Sequence, residues 1–238
     1  SGRVVEPNRF IFKDEVRAAA RLIGLSPEIA DREPFPGPGL GIRIVDCAEE
    51  SEDWEEINSK VAEIAQGEGL NGCVLPVKTV GVQGDARTYS YLGMIWGERD
   101  WTRIRSAAKK IPQRVHSVNR VAYSFEEPKE VSKIKTFVTR ENIDLLKEVD
   151  YVGRRILSEN EVKGISQTIF VLFGSGINSE NRSVALRAVS TDDFMTVSPF
   201  EVPWGVLDEI KEKISKIEGV GSFVIDVTDK PPATTCWE

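Results

Sequence analysis

Two hydrophobic rhythms alternate along this chain. Apolar residues three and four apart mark amphipathic helices, while short apolar runs and every-other-residue patterns mark strands. The helical spacing covers 51–66, through Trp54, Ile57, Val61 and Ile64, and returns at 99–111. It recurs at 141–158, through Ile143, Leu146, Val149 and Ile156, and at 204–217, through Trp204, Leu207, Ile210, Ile214 and Ile217. Between these stretches lie strand patterns: "GIRIVD" (41–46), "LNGCVLPV" (70–77), "TYSYLGMIW" (88–96) and "VNRVAYSF" (118–125), then "IKTFVT" (134–139), "QTIFVLF" (167–173), "SVALRAVS" (183–190) and "GSFVIDVT" (221–228).

The order is β-α-β-β-α-β, given twice. With the second copy shifted, "SVNRVAYS" lies over "GVGSFVID". The predicted class is therefore α+β, with two such units forming an internal pseudo-dimer in which each covers the other's apolar face. Upstream, 1–31 reads as an extended lead and a helix with Val16, Ala19, Ala20, Ile23 and Leu25 on one face and Gly24 as its stop. "PFPGPGL" (34–40) is too rich in proline and glycine for a helix or central strand and is read as a rigid linker. The predicted domains are 1–33, the linker 34–40, a first subdomain 41–126 and a second subdomain 127–238 with its tail. The polar stretch "EEPKEVSK" (126–133) separates the last two.

Composition narrows the function classes. With 238 residues, 31 basic and 38 acidic, the chain carries a formal charge of −7. Its pI near 5.1 argues against a general grip on nucleic acid, which needs a basic face. Cys47, Cys73 and Cys236 share no CxxC spacing and leave an odd count, so neither a metal cluster nor a disulfide framework is expected, and the reading is cytoplasmic. No apolar run reaches the roughly 18 residues of a membrane span.

Two segments stand out as candidate chemistry. The chain closes on "TDKPPATTCWE" (228–238), where Pro231-Pro232 suggests a pre-extended backbone of low ordering cost. Lys230 offers a point charge for a phosphate, and Trp237 an apolar anchor. The plainer alternative is a solvated tail. "TVGVQGDARTYSY" (79–91) places Gly81 and Gly84 for a tight turn, with Asp85 between Lys78 and Arg87. Gly81–Gly84 also fits the GxxG clamp of KH-type RNA binders, but an acid follows at once in an acidic chain, which is poor for RNA. "FGSGINSENRS" (173–183) lacks a following GK[ST] and reads as a surface loop. His116 has no evident catalytic neighbour, Lys163, Arg154 and Arg155 read as solvated or paired charges, and Phe194 and Met195 as core or interface residues.

"EPNRFIFKDEVRAAARLIGL", "PFPGPGLGIRI", "LPVKTVGVQGDARTYSYL", "RAVSTDDFMT" and "DVTDKPPATTCWE" occur in this order. Together they resemble the carboxy-terminal portion of the GMP synthases, in the long eukaryote-type form whose dimerisation domain is doubled within one chain. The resemblance runs from about Val4 to Glu238. It implies that Lys230, Asp85 and Gln167 bind xanthosine monophosphate, with Lys230 on the phosphate. It implies a ligase that uses ATP and Mg2+ and ammonia from glutamine, with upstream ATP-pyrophosphatase and glutaminase domains as partners. Residues 1–33 resemble the last strand and helix of the ATP-pyrophosphatase domain. Neither the glutaminase segment nor an SGG-x-DS phosphate loop is found, so no catalytic residue, no bound cofactor, no metal and no turnover are expected of this chain alone. Internal pairing implies a monomer or weak dimer. Two positions depart from the family: Cys236 stands where glutamate is usual, and Glu33 where histidine is usual. A pairing module without substrate contact is the alternative.

Overall fold

The structure is a computed structural model that describes residues 5–30, 37–84, 86–191 and 195–238. The chain divides into two compact units, 1–36 and 37–238. In the first, α1 (Lys13–Leu22) is followed by the short α2 (Pro27–Ala30). Gly24 ends α1 as expected: its φ of +84° lets the Leu25 N–H reach back to the Ala20 carbonyl at 3.1 Å.

In the second unit, a 3-10 turn at Gly39–Arg43 leads into β1 (Ile44–Val45). Then come α3 (Trp54–Gln66), β2 (Leu70–Gln83), β3 (Ala86–Gly97), α4 (Trp101–Arg114) and β4 (Val118–Ser124). The second half contains β5 (Val131–Lys133), α5 (Arg140–Glu159), β6 (Gln167–Phe173), β7 (Ser175–Ile177) and β8 (Arg182–Ser190). It ends with β9 (Ser198–Pro199), α6 (Trp204–Ile214) and β10 (Val220–Asp226). The fold is α+β.

One eight-stranded mixed sheet runs β1-β6-β8-β10-β4-β3-β2, with β9 added to β8, while β5 and β7 form a separate ribbon. Its middle is built from two alike halves. In one, β2 pairs antiparallel with β3 and β3 parallel with β4. In the other, β6 pairs antiparallel with β8 and β8 parallel with β10. The halves meet where β4 and β10 pair antiparallel, Tyr123 opposite Ile225. They join edge to edge within one sheet, so neither half covers the other's apolar face as expected. Helices do that instead. Ile57 and Val61 of α3, Ile104 and Ile111 of α4, Leu146 and Val149 of α5, and Leu207 and Ile210 of α6 share one buried core with Val121, Phe170, Leu186 and Ile225 from one face of the sheet. At Gly153 a Cβ would lie 2.0 Å from Phe170 Cζ, so α5 sits nearly backbone-on-ring over β6.

Three expected elements differ. "GIRIVD" is strand only at Ile44–Val45, because 39–43 wind into the 3-10 turn before Ile44 and Val45 pair with Leu172 and Phe173. "IKTFVT" alternates like a strand but finds no partner in the described residues. Its backbone is satisfied instead by single contacts from distant parts of the chain, Ile134 N–H on the Gly174 carbonyl and Thr136 N–H on Asp46 Oδ1 at 2.7 Å, and Phe137 and Val138 are exposed. The strand lies just before it, at β5, where Ser132 pairs with Gly176 of β7. The expected surface loop 173–183 is correspondingly a buried crossing at 175–177, where a Cβ on Gly174 would meet the Ile134 carbonyl at 2.3 Å.

A buried ionic cluster fastens the carboxy-terminal tail

Helices α3 to α6 pack on the first face of the sheet, and among the described residues of 37–238 the second face meets the carboxy-terminal tail instead. Strand alternation puts Leu92 and Met94 of β3, Arg120 of β4, Phe173 of β6, Arg187 of β8 and Asp226 of β10 on this side, and all are buried. Arg120, Arg187 and Asp226 interrupt otherwise apolar strands. Arg120 Nη1 donates to Asp226 Oδ2 at 2.6 Å, and Arg187 Nη1 lies 3.0 Å from Asp226 Oδ1. The side chains of all three are 0% exposed. Burial alone would raise the Asp226 carboxyl, but the two guanidiniums and the Thr228 N–H outweigh it and hold its pKa below the ordinary value. Burial pushes Arg120 down to about 10, which leaves it cationic at neutral pH.

Two guanidiniums face one carboxylate, so the cluster carries an excess positive charge that must be solvated by the protein. The tail supplies that solvation. Arg120 Nη2 donates to the carbonyls of Cys236 at 2.9 Å and Thr234 at 3.2 Å, and to Thr234 Oγ1 at 3.1 Å. Arg187 donates from Nη1 to the Thr228 carbonyl at 2.9 Å and from Nε to the Thr235 carbonyl at 3.1 Å. Trp237 is wholly buried, donates its indole N–H to Asp226 Oδ2 at 2.9 Å and rests against the Phe173 ring. The end of the chain is thus an interior element.

The tail also joins the long β2–β3 hairpin. Val80 N–H donates to the Trp237 carbonyl at 2.8 Å and Val82 N–H to the Pro232 carbonyl at 2.7 Å, with Gly81 bridged to Ala233. Gly81 has to be glycine: a Cβ there would stand 2.8 Å from both the Pro232 carbonyl oxygen and Asn119 Cβ. Glu238 accepts a hydrogen bond from Tyr89 of β3 at 2.5 Å. Pro231 and Pro232 do not form the expected extended stretch. Both peptide bonds are cis, and the segment turns, with the Ala233 N–H on the Asp229 carbonyl.

Two of the three expected binding residues come to one end of the sheet. Gln167, buried, opens β6 and pairs with Val189 of β8, which pairs with Pro199 of β9. Two residues before Pro199, Val197 exchanges both backbone hydrogen bonds with Lys230. Lys230 is half-buried, with its ammonium 3.5 Å from Thr235 Oγ1. Asp85 lies outside the described residues, as do Glu33 and Phe194; its neighbour Gly84, with φ +65°, is at the hairpin turn. Met195, expected in the core or at an interface, is exposed and so is not a core residue. Arg154 pairs with Asp150 and Arg155 with Glu159, while His116 and Lys163 are exposed.

The Cys236 thiol is buried and its pKa raised by that burial, although Arg120, Arg43, Arg187 and Lys230 all pull it the other way. A neutral thiol therefore sits among these cations. Glu238, two residues on, is engaged with Tyr89. Arg120, Arg187 and Asp226 were not singled out from the sequence, although charges inside "VNRVAYS", "VALRAVS" and "FVID" were the available signal.

A family profile described as "GMP synthase C terminal domain" matches residues 154–237. The chain is 32% identical to a GMP synthase [glutamine-hydrolyzing] of Dictyostelium discoideum, over 99% of this chain and 40% of the relative. It is 32% identical to a probable GMP synthase [glutamine-hydrolyzing] of Leptospira interrogans, over 100% of this chain and 40% of the relative. By sequence, the chain belongs with the carboxy-terminal portions of the GMP synthases. A Corynebacterium ammoniagenes GMP synthase is 42% identical, but across only 50% of this chain and 27% of its own length. The chain thus spans about two fifths of the first two relatives. Among its described residues no helix is long and apolar enough to cross a membrane.

Proposed function

We propose that this chain holds xanthosine monophosphate for ATP-dependent amination to GMP, as part of a glutamine-hydrolysing GMP synthase. The observation that carries the reading is the inward-folded tail, which brings Lys230 to the same end of the sheet as Gln167. Lys230 is assigned the phosphate, and Gln167 and Asp85 the ribose or base as orienting polar groups. Asp85 would repel a phosphate, so it is assigned hydrogen-bond acceptance or the orientation of Arg87. In this reaction the base carbonyl oxygen attacks the α-phosphorus of ATP and pyrophosphate leaves. Ammonia then displaces AMP, giving the 2-amino group. ATP and Mg2+ are assigned to parts of the enzyme other than the residues described above. Among those residues no three histidine, cysteine or acidic side chains converge as metal ligands. What these residues contribute is position, by holding the reacting oxygen where the phosphorus can meet it.

The test is Lys230→Ala in the complete enzyme. Losing a charge-assisted phosphate contact raises the KM for xanthosine monophosphate by about ten- to a hundredfold, with the KM for ATP unchanged. An unchanged KM for the nucleotide would favour a pairing module without substrate contact.

A further inference from the structure

Arg187 touches the tail at two places, and Lys230 lies between them. Its Nη1 holds the Thr228 carbonyl at 2.9 Å and its Nε the Thr235 carbonyl at 3.1 Å. One guanidinium thereby closes the loop 228–235 at both ends. The loop is held at its middle by Val197, whose N–H and carbonyl pair with Lys230. The Lys230 ammonium points back toward Thr235, the residue that Arg187 grips. Arg187 itself cannot drift, because it is wholly buried and ion-paired with Asp226, which is fixed in turn by Arg120 and Trp237.

From this geometry we infer that Arg187 is a positioning residue for nucleotide binding: it touches no substrate and sets where Lys230 stands. The inference rests on the reading that Lys230 binds the phosphate. It explains why a second arginine is kept beside one carboxylate. Asp226 is already paired by Arg120, so Arg187 adds an excess charge whose hydrogen bonds go to the tail carbonyls. A rigid planar fork suits two carbonyls held at set positions, whereas an ammonium cannot span both.

The experiment is a double-mutant cycle on Arg187 and Lys230 in the complete enzyme, read as the KM for xanthosine monophosphate with the KM for ATP as reference. Arg187→Lys keeps the cation but loses the fork. Arg187→Gln leaves Arg120 and Asp226 as a balanced pair, so folding is preserved if the lysine variant fails. Either variant raises the nucleotide KM by about tenfold, the loss of one or two charge-assisted hydrogen bonds. In either variant the backbone amides of Val80 and Val82 report on the tail by hydrogen exchange, and they exchange faster. Added to Lys230→Ala, the Arg187 substitution raises the nucleotide KM no further, because the group it positions is gone. Additive losses, or an unchanged KM in the Arg187 variants, would overturn the positioning role while leaving Lys230 as a ligand. If Lys230→Ala alone has no effect, the nucleotide reading falls and this inference with it.

Discussion

The two faces of the large sheet are both buried, but they are closed by different means. On one face α3 to α6 lay apolar side chains against Val121, Phe170, Leu186 and Ile225, and apolar packing dominates over a few hydrogen bonds such as Val74 N–H on Asn58 Oδ1 at 2.9 Å. On the other, eleven residues of tail lie over a cluster of two arginines and an aspartate, and directed hydrogen bonds hold them. Hydrophobic packing tolerates exchange of one apolar residue for another of like volume. A buried ionic cluster does not, since any missing partner leaves a desolvated charge. The helix face is thus where the fold is kept, and the tail face is where one conformation of the chain end is selected.

That contrast can be broken from either side. The largest effect is expected from Asp226→Asn, which leaves Arg120 and Arg187 without their counter-ion and costs about 3–5 kcal/mol. Denaturant melts should show it, together with a red-shifted Trp237 emission. Acid should do the same more gently. The Asp226 carboxyl sits below its ordinary 3.8, so its contribution is present at neutral pH and is lost as pH falls through that lowered value. Next in size is a matched pair of glycine substitutions. Gly153→Ala drives a methyl into Phe170 on the helix face and Gly81→Ala drives one into Pro232 and Asn119 on the tail face, each costing about 1–3 kcal/mol. The first should lower the melting temperature with nucleotide affinity intact, whereas the second should weaken nucleotide binding as well. Equal effects on affinity would erase the distinction between the faces. The smallest is Tyr89→Phe, which removes the hydroxyl held by Glu238 at a half-exposed site and costs less than about 1 kcal/mol in thermal melts.

The same contrast governs what could be read from the sequence. The helix face follows from spacing: Ile57 with Val61, or Leu207 with Ile210, announce their side of a helix without any knowledge of the partner. Strands were legible where they run through the core, as at 167–173 and 118–124, because both neighbours are apolar. "IKTFVT" misled because alternation specifies a pleat but not a partner, and Asp46 and Gly174 satisfy its backbone instead. On the tail face, Lys230 and Trp237 stood out as unusual residues for a chain end. The anchors did not, because an arginine within a strand pattern reads as an edge position until the long-range pairing is known. Arg120 finds Asp226 across 106 positions. Only the fold brings them together.

The tail has one more consequence. β2 is the outermost strand on its side of the sheet, and a bare strand edge is a template on which other molecules can add strands of their own. Pro232 and Trp237 occupy the N–H groups of Val82 and Val80 along that rim. A copy of the chain shortened by its last few residues would therefore offer an open border to its neighbours, and self-association would be its characteristic failure.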